Sequence, residues 1–363
     1  MILVPVAALE QVCADTFARV GSTREEALRV ARSLIGANLT GHDSHGVIRV
    51  PRYVDWVKSG DIVPNQTVAL VVDTPSLAVV DGRYGYGQTV APEAVRIGIE
   101  KAQAAGLSAV ALRDAGHIGR IGEWAEMAAA QGLVSIHFVT ASGSILVAPF
   151  GARERRLSTA PFSVGVPRDG KEPVILDFAT SIVAEGKVMV ASQGGKKLPD
   201  GALIGPDGEF STDPAMLYGP YEPEGPRDGS AGPGAIRAFG EHKGSGLAFM
   251  CEILGGSLTG TRATHVGRKK FANGMFSIYV DPRRVDPAHV FDADVSAYID
   301  FFKSAKPAKG ATEVLAPGEP ERRMRAERTQ NGVPLTEATW NSICAKAREV
   351  GATAPAIDAL GHR

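Results

Sequence analysis

The densest cluster of reactive side chains in this sequence lies between Gly41 and Tyr53, in the stretch GHDSHGVIRVPRY. An imidazole titrates near neutral pH, so His45 can exchange the proton that accompanies hydride transfer to a carbonyl, with the Ser44 hydroxyl as a relay. Arg49 follows His45 by four positions and shares its face if the segment is helical, where it can bind a substrate carboxylate through two hydrogen bonds. The cluster predicts acid-base chemistry on a small carboxylic acid.

Two further candidates lie where a predicted strand is followed by a helix, the position at which α/β proteins commonly present ligands. His117, in RDAGHIGRIGEW, can approach a substrate or a cofactor. Asp177 ends the predicted strand PVILDF, where its carboxylate suits either a ribose hydroxyl or a helix N-cap. For both residues a purely structural role is the alternative.

Glycine-rich segments provide one candidate anion site and no standard nucleotide motif. The segment GEHKGSG at 240–246 places Lys243 and bare backbone amides before an apolar helical run, which suits a phosphate, although a solvated lysine in a glycine turn is an equal interpretation. Neither the G-x-G-x-x-G fingerprint of Rossmann folds nor a P-loop occurs in the sequence. Any dinucleotide must therefore be bound in another way.

Hydrophobic periodicity divides the chain into three regions that must position these residues. Residues 1–75 are predicted to be helical and carry the Ser-His-Arg motif. Residues 76–290 alternate short apolar runs with alanine-rich helical runs, which indicates a mixed α/β core that binds the cofactor. Residues 291–363 end in an amphipathic helix and are expected to pack on the N-terminal part and to form a dimer interface.

Individual elements are predicted within these regions. A capping box at Ser22–Glu25 is expected to open the second helix. The stretch 198–235 is rich in Gly, Pro and Asp and reads as a long excursion of turns over the surface. The other predicted elements are helices at 7–20, 88–105 and 122–131 and strands at 107–112, 133–139, 173–178 and 274–280.

Composition limits the classes of function. The 363 residues are 44% hydrophobic, enough for a large core. The 39 basic and 40 acidic side chains leave a net charge of -1, which gives no electrostatic footprint for nucleic acid or an anionic membrane, so neither is an expected partner. Three widely spaced cysteines without a C-x-x-C pair suggest neither disulfides nor a zinc cluster. With no signal peptide or membrane segment in the pattern, a reducing cytoplasm is the expected location.

Six motifs, taken in chain order, resemble the malate/L-lactate dehydrogenase-like family, which also contains ureidoglycolate, sulfolactate and piperideine-2-carboxylate enzymes. Each motif is weak alone, so their shared order across most of the chain carries the resemblance. The motifs are SHGVIRVPRY, GHIGRIGEWAEMAAAQGL, VAPFG, PVILDFATSIVAEGK, EHKGSGLAFMCEILGG and APGEPE.

The resemblance implies a non-Rossmann mixed sheet that binds NAD or NADP, in a homodimer. Ser44 and His45 match the family's relay and proton-donor pair, Arg49 its carboxylate-binding arginine and Thr159 a substrate-side threonine. His117 matches a histidine assigned to cofactor contact in some members and to acid-base chemistry in others, so two histidines remain as proton donors. The residues that match cofactor contacts are His117, Asp177, Phe178, Ala179, His242, Lys243, Gly318 and Glu319.

Two departures from the family pattern bear on the substrate. The chain has TASG at 140–143 and STAP at 158–161, where the family commonly has T-N-S and G-T-N-P, so two asparagines are absent. Gly116 also precedes His117 where a polar residue or histidine is usual. An amide both donates and accepts hydrogen bonds, so its loss changes which groups the site can satisfy.

The predicted function is hydride transfer between a nicotinamide and C2 of a small 2-oxo, 2-hydroxy or 2-imino acid. One alternative is a family member that binds nucleotide without turnover, which the missing asparagines favour. Another is a metal-dependent hydrolase that uses His42, Asp43 and His45, since histidine and aspartate are ordinary metal ligands.

Overall fold

The computed structural model describes residues 1–192, 197–220, 229, 231–267 and 270–354 of the chain. The strands are β1 Ile2–Val4, β2 Ala69–Asp73, β3 Leu77–Asp81, β4 Leu107–Ala115, β5 Val134–Ser142, β6 Val147–Ala148, β7 Phe162–Val166, β8 Val174–Phe178, β9 Leu203–Ile204, β10 Phe210–Ser211, β11 Ala235–Arg237, β12 Ala272–Val280 and β13 Val333–Leu335. The helices are α1 Val6–Arg19, α2 Arg24–Leu39, α3 Val50–Ser59, α4 Gly87–Ala105, α5 Gly122–Ala129, α6 Glu185–Ser192, α7 Ala215–Tyr218, α8 His242–Cys251, α9 Pro282–Val285, α10 Phe291–Lys303, α11 Glu319–Asn331 and α12 Glu337–Glu349.

The main sheet has seven strands in the order β2-β3-β4-β12-β5-β7-β8. The β3–β4 pair is parallel, and the other five neighbouring pairs are antiparallel. A Rossmann sheet is parallel and built from crossover helices, so this sheet is of a different type. The predicted α/β fold class, a non-Rossmann mixed sheet with helical N- and C-terminal parts, is confirmed.

An apolar core lies between the main sheet and helices α4 and α5. Strand β12 enters the middle of the sheet, and its Met275 and Tyr279 are buried with Val90 and Trp124 of the two helices. A Cβ atom on Gly98 would lie 2.2 Å from the Tyr279 ring, so α4 needs a glycine where it crosses this strand. The core thereby fixes the strand ends that carry the candidate site.

The two ends of the described chain pack together. Strand β1 pairs antiparallel with β13, with Ile2 opposite Leu335. Helix α12 packs against α1 and α3, and α11 packs against α2. The side chain of Thr23 accepts a hydrogen bond from the Glu26 amide and caps α2, so the capping box predicted at Ser22 was wrong by one residue.

A second, smaller sheet has four strands in the order β10-β9-β11-β6. The prediction of surface turns over 198–235 is wrong for much of the described part of this stretch, because Ala202, Leu203 and Leu217 are fully buried in a core of their own. Residues 221–228 and 230 lie outside the described residues. Across the described ranges, no helix is both long and apolar enough to cross a membrane.

Candidate active site

The Ser-His-Arg segment folds into two short 3-10 turns, Asp43–His45 and Val47–Arg49, between α2 and α3. It is therefore not the continuous α-helix considered for it. The Asn38 side chain holds the two turns together: its Nδ2 donates to Asp43 Oδ1 at 2.7 Å, and its Oδ1 accepts from the Val47 amide at 2.8 Å. A Cβ atom on Gly46 would lie 2.1 Å from Asn38 Oδ1, so glycine permits this close approach.

Helix α11 anchors the same segment from the C-terminal region. Arg328 donates to both carboxylate oxygens of Asp43, at 2.6 and 3.2 Å, and to the Asn38 carbonyl at 2.5 Å. His42 lies with Nε2 3.9 Å from Asp177 Oδ2. Asp43 thus has a structural partner, and the turns are positioned by residues almost 300 positions away in the sequence.

His45 and His117 meet at the wall of one cavity. His45 Nδ1 lies 3.2 Å from His117 Nε2, and the two ring planes differ by 7°. His117 Nδ1 lies 2.5 Å from the hydroxyl of Tyr53, which accepts a hydrogen bond of 2.9 Å from Gln88 Nε2. The direction of the two contacts of His117 depends on the tautomers of the imidazoles, because the Tyr53 oxygen can accept a second hydrogen bond besides that from Gln88. His45 Nε2 lies outside this chain of contacts.

The surroundings keep both imidazoles neutral at neutral pH. Burial first, and then the positive charge of Arg49, lower the pKa of His45 to about 3. The same two causes, in the same order, hold the pKa of His117 well below its ordinary value. Burial raises the pKa of Tyr53, so the phenol keeps its proton. His45 is therefore a proton acceptor in this state.

Arg49 lies beside the histidine pair and has two partners of its own. Its Nε donates to the Ser44 carbonyl at 2.7 Å, and its Nη2 donates to Glu185 Oε2 at 2.9 Å. The Tyr218 hydroxyl donates to the other Glu185 oxygen at 2.5 Å. Several guanidinium N–H groups remain for a substrate carboxylate. In the described part of the chain, His117 rather than Ser44 contacts His45 Nδ1, and the relay role of Ser44 stays a prediction.

A cavity of about 700 Å³ unites most of the predicted site residues. Its volume lies within the range of small-molecule and cofactor sites. Apolar Val139, Ile145 and Ile182 line it together with the polar groups. The predicted residues that line it are Ser44, His45, Arg49, His117, Thr159, Asp177, Phe178 and Ala179.

Asp177 at the end of β8 connects this cavity to α5. Its Oδ2 accepts a hydrogen bond of 2.9 Å from the Gly122 amide, the first residue of that helix, and lies 3.8 Å from Arg120 Nη1. Asp177 therefore does not cap a helix that follows β8: its carboxylate contacts the first amide of α5, and its side chain lines the cavity, where a ribose hydroxyl remains the predicted partner.

The predicted cofactor residues His242 and Lys243 lie apart from this cavity. Both are exposed at the start of α8. The His242 ring packs edge-on against Phe150, with ring centres 5.9 Å apart. Phe150 lines a second cavity of about 660 Å³. That cavity adjoins the first, because Ser181 of the first forms a β-bridge with Ala238 of the second.

Gly318 and Glu319 lie at the start of α11 and do not line the main cavity. Glu319 Oε1 pairs with Lys303 at 2.5 Å, and its Oε2 accepts from the Ala316 amide at 2.9 Å. The next residues along the helix, Pro320 and Glu321, do line the cavity. The APGEPE motif therefore reaches the site through its last two residues, and the carboxylate of Glu319 stabilises the turn that precedes them.

Three site residues were missed from the sequence. Tyr53 and Glu185 lie inside quoted motifs, SHGVIRVPRY and PVILDFATSIVAEGK, but neither was assigned a role. Spacing could have indicated Tyr53, which follows Arg49 by four positions. Tyr218 lies in the glycine-rich stretch and shows no local signal, because its contact with Glu185 joins residues 33 positions apart.

Comparison with known proteins assigns the family. Residues 4–344 match the family described as malate/L-lactate dehydrogenase. The chain is 41% identical to hydroxycarboxylate dehydrogenase B of Escherichia coli K12 over 340 residues, 92% of this chain and 91% of that protein. It is 32% identical to L-sulfolactate dehydrogenase of Methanocaldococcus jannaschii over 342 residues, 93% and 94% of the two chains. The solved structure of malate dehydrogenase from Pyrococcus horikoshii superposes with a TM-score of 0.84 at 27% identity, covering 97% and 96%.

The fold, the site and these matches together support an oxidoreductase of the hydroxy-acid dehydrogenase class. The chain belongs to the malate/L-lactate dehydrogenase family, as the order of its motifs predicted.

Proposed function

We propose that this chain transfers a hydride between the nicotinamide of NAD or NADP and C2 of a small 2-oxo, 2-hydroxy or 2-imino acid. The observation that carries the proposal is the shared cavity of His45, His117 and Arg49. A cationic guanidinium beside an uncharged imidazole provides one group to orient a carboxylate and another to exchange the proton at C2.

His45 is the proposed acid-base residue. His117 has one ring nitrogen at Tyr53 and the other at His45, so both are engaged, whereas His45 Nε2 is left for the substrate. Neutral His45 with its proton on Nδ1, towards His117, takes the proton of a hydroxy acid on Nε2 during oxidation, and its protonated form returns that proton during reduction. His117 and Tyr53 hold the imidazole in the required tautomer.

The cavity also fits a dinucleotide of the predicted kind. Asp177, Phe178 and Ala179 line the same cavity and provide a carboxylate and two apolar groups, suited to a ribose and a ring face. When bound, the nicotinamide supplies or accepts the hydride at C4. The adjoining second cavity, with Arg153, Arg237 and the nearby Lys243, offers cations for phosphates in either NAD or NADP.

The test is oxidation of NADH and of NADPH by the purified protein with pyruvate, oxaloacetate, sulfopyruvate, oxalurate and piperideine-2-carboxylate. We expect turnover of at least one acid, and a fall of about 10²–10⁴ in kcat/KM for His45→Ala. His265→Ala removes an exposed imidazole and serves as the matched control. Equal activity of His45→Ala and wild type would refute the assignment of His45.

Two other functions give different results in the same experiment. A nucleotide-binding protein without turnover would bind NADH or NADPH and reduce none of the acids. A metal-dependent hydrolase would load a divalent metal and leave NADH unoxidised, but Asp43, one of its predicted ligands, has both carboxylate oxygens on Arg328. The observed partners therefore favour the oxidoreductase.

We further propose a homodimer that uses the C-terminal region. Helix α10 carries no buried residue, and its Tyr298 and Phe301 are 64% and 74% exposed. Aromatic side chains on one helix are unusual at a free surface and common in interfaces. Light scattering is expected to give a dimer for the wild type and a monomer for Phe301→Glu, and a dimer in both would place the interface elsewhere.

A further inference from the structure

Glu185 is a buried carboxylate at the substrate end of the cavity. It opens α6, lines the cavity and has only 11% of its side chain exposed. Its two oxygens are divided between Arg49 Nη2 at 2.9 Å and the Tyr218 hydroxyl at 2.5 Å. The proposed carboxylate-binding arginine is thus already paired with an acidic group before any substrate enters.

Glu185 is ionised at neutral pH. Burial raises the pKa of this carboxyl group, but the charges of Arg49 and Arg52 and the hydrogen bonds from Tyr218 and Arg49 together hold the pKa below its ordinary value. Burial lowers the pKa of the Arg49 guanidinium, but Glu185 and the neighbouring tyrosines together raise it above its ordinary value. Both groups are therefore charged and form an ion pair. The carboxylate of Glu185 keeps its negative charge in the cavity at neutral pH.

The charged side chains of the cavity leave about enough positive charge to balance one substrate carboxylate. The described residues that line it include four cations, Arg49, Arg52, Arg120 and Lys187, and three anions, Asp177, Glu185 and Glu321, a formal excess of one positive charge with His45 and His117 neutral. Asp177 lies near Arg120, and Lys187 is exposed. Among the described residues near the acid-base histidine, Arg49 and Arg52 act on the carboxylate of Glu185. A second substrate carboxylate would stand beside Glu185 with no further cation there in the described part of the chain.

We propose that Glu185 makes this enzyme select 2-oxo and 2-hydroxy acids with a single carboxylate over those with two. This inference rests on the proposed function, since it assigns the substrate class of that same site. Glu185 occupies one side of the Arg49 guanidinium and repels a second anionic group, while Tyr218 holds the carboxylate in place. Selection works through like-charge repulsion rather than through the volume of the pocket.

The test compares pyruvate with oxaloacetate, which differ by one carboxylate. Glu185→Gln keeps the length and a hydrogen-bond acceptor but removes the charge. We expect the ratio of kcat/KM for oxaloacetate to that for pyruvate to rise about tenfold or more. Glu185→Asp keeps the charge and is expected to leave the ratio near the wild-type value.

A structural role for Glu185 gives a different result. If the carboxylate only positioned Arg49, Glu185→Gln would lower kcat/KM for both acids by the same factor and leave their ratio unchanged, which would overturn the inference. Glu313→Gln removes a surface carboxylate that pairs with Arg323 and is the matched control, with no change in the ratio. Circular dichroism and the melting temperature check that each variant is folded.

Binding measurements separate failure of this inference from failure of the proposed function. With NADH present, calorimetry gives Kd for oxamate, which has one carboxylate, and for tartronate, which has two. A preference for oxamate in the wild type that Glu185→Gln reduces supports the inference even without turnover. Turnover of 2-oxo acids with an unchanged preference refutes only the role of Glu185. No turnover and no binding of either acid refutes both.

Discussion

The 3-10 turns at Asp43–Arg49 and the start of α8 at His242–Lys243 were both assigned to the site from short motifs, but their surroundings differ. The first segment is held by Asn38 and Arg328, and its His45 and Arg49 line the main cavity. The second presents exposed side chains to the edge of another cavity. A buried, hydrogen-bonded group is already positioned for chemistry, whereas an exposed cation contributes mainly charge.

This difference predicts that substitutions in the first segment act on the chemical step and that those in the second act on cofactor affinity. Four measurements test this difference between the two segments.

Arg49→Ala is expected to lower kcat/KM by about a thousandfold, because it removes the carboxylate contact and leaves Glu185 buried without its ion-pair partner. Steady-state kinetics with the best 2-oxo acid measure this effect, and fluorescence titration is expected to give an unchanged Kd for NADH. Arg323→Ala, at an exposed ion pair, is the control. A large change in the Kd for NADH instead would move Arg49 to the cofactor side.

The pH dependence of the two directions is expected to differ. Reduction needs protonated His45, and the pKa of about 3 in the free enzyme lies far below the working range, so kcat/KM for reduction is expected to fall about tenfold per pH unit from pH 5 to 8. Oxidation needs neutral His45 and is expected to be independent of pH over the same range. A plateau in the reduction profile with a break near pH 6.5 would contradict the lowered pKa.

Tyr53→Phe is expected to lower kcat/KM by about tenfold, since it removes the hydroxyl that orients His117 and, through it, His45. Tyr53 acts through the histidines, so the more specific readout is the pH dependence of kcat/KM for reduction by the variant. We expect that profile to differ from the wild-type profile in slope or position. Tyr84→Phe, at a half-buried tyrosine that does not line the main cavity, is the control. An unchanged pH profile alongside a lower melting temperature would indicate that Tyr53 only stabilises the fold.

Lys243→Ala is expected to have the smallest effect, about a threefold rise in KM for the cofactor, because an exposed cation gains little from a charge contact in water. The KM for the acid is expected to be unchanged. Lys306→Ala provides an exposed lysine elsewhere for comparison. A hundredfold rise in KM for the cofactor would contradict this expectation, because it would show that Lys243 is held against the cofactor as firmly as Arg49 is held in the main cavity.

Local sequence patterns predicted many of the elements that position the site. The strand predicted at 274–280 and the helix predicted at 88–105 appear as β12 and α4 with nearly the same bounds. Both have strong periodicity and clear end signals. The stretch 198–235 was misread, because its short strands have little periodicity and form only through pairing with distant partners such as β6.

The sequence by itself determined the family, the absence of a Rossmann fingerprint, and the residue types for acid-base and carboxylate chemistry, because these depend on side-chain identity and motif order. Only the tertiary structure decided which groups meet. His45 reaches His117 across 72 positions and Arg49 reaches Glu185 across 136. Such contacts follow from the packing of helices and sheet rather than from local spacing, so the order of the histidines and the acidic partner of Arg49 became visible only in the folded chain.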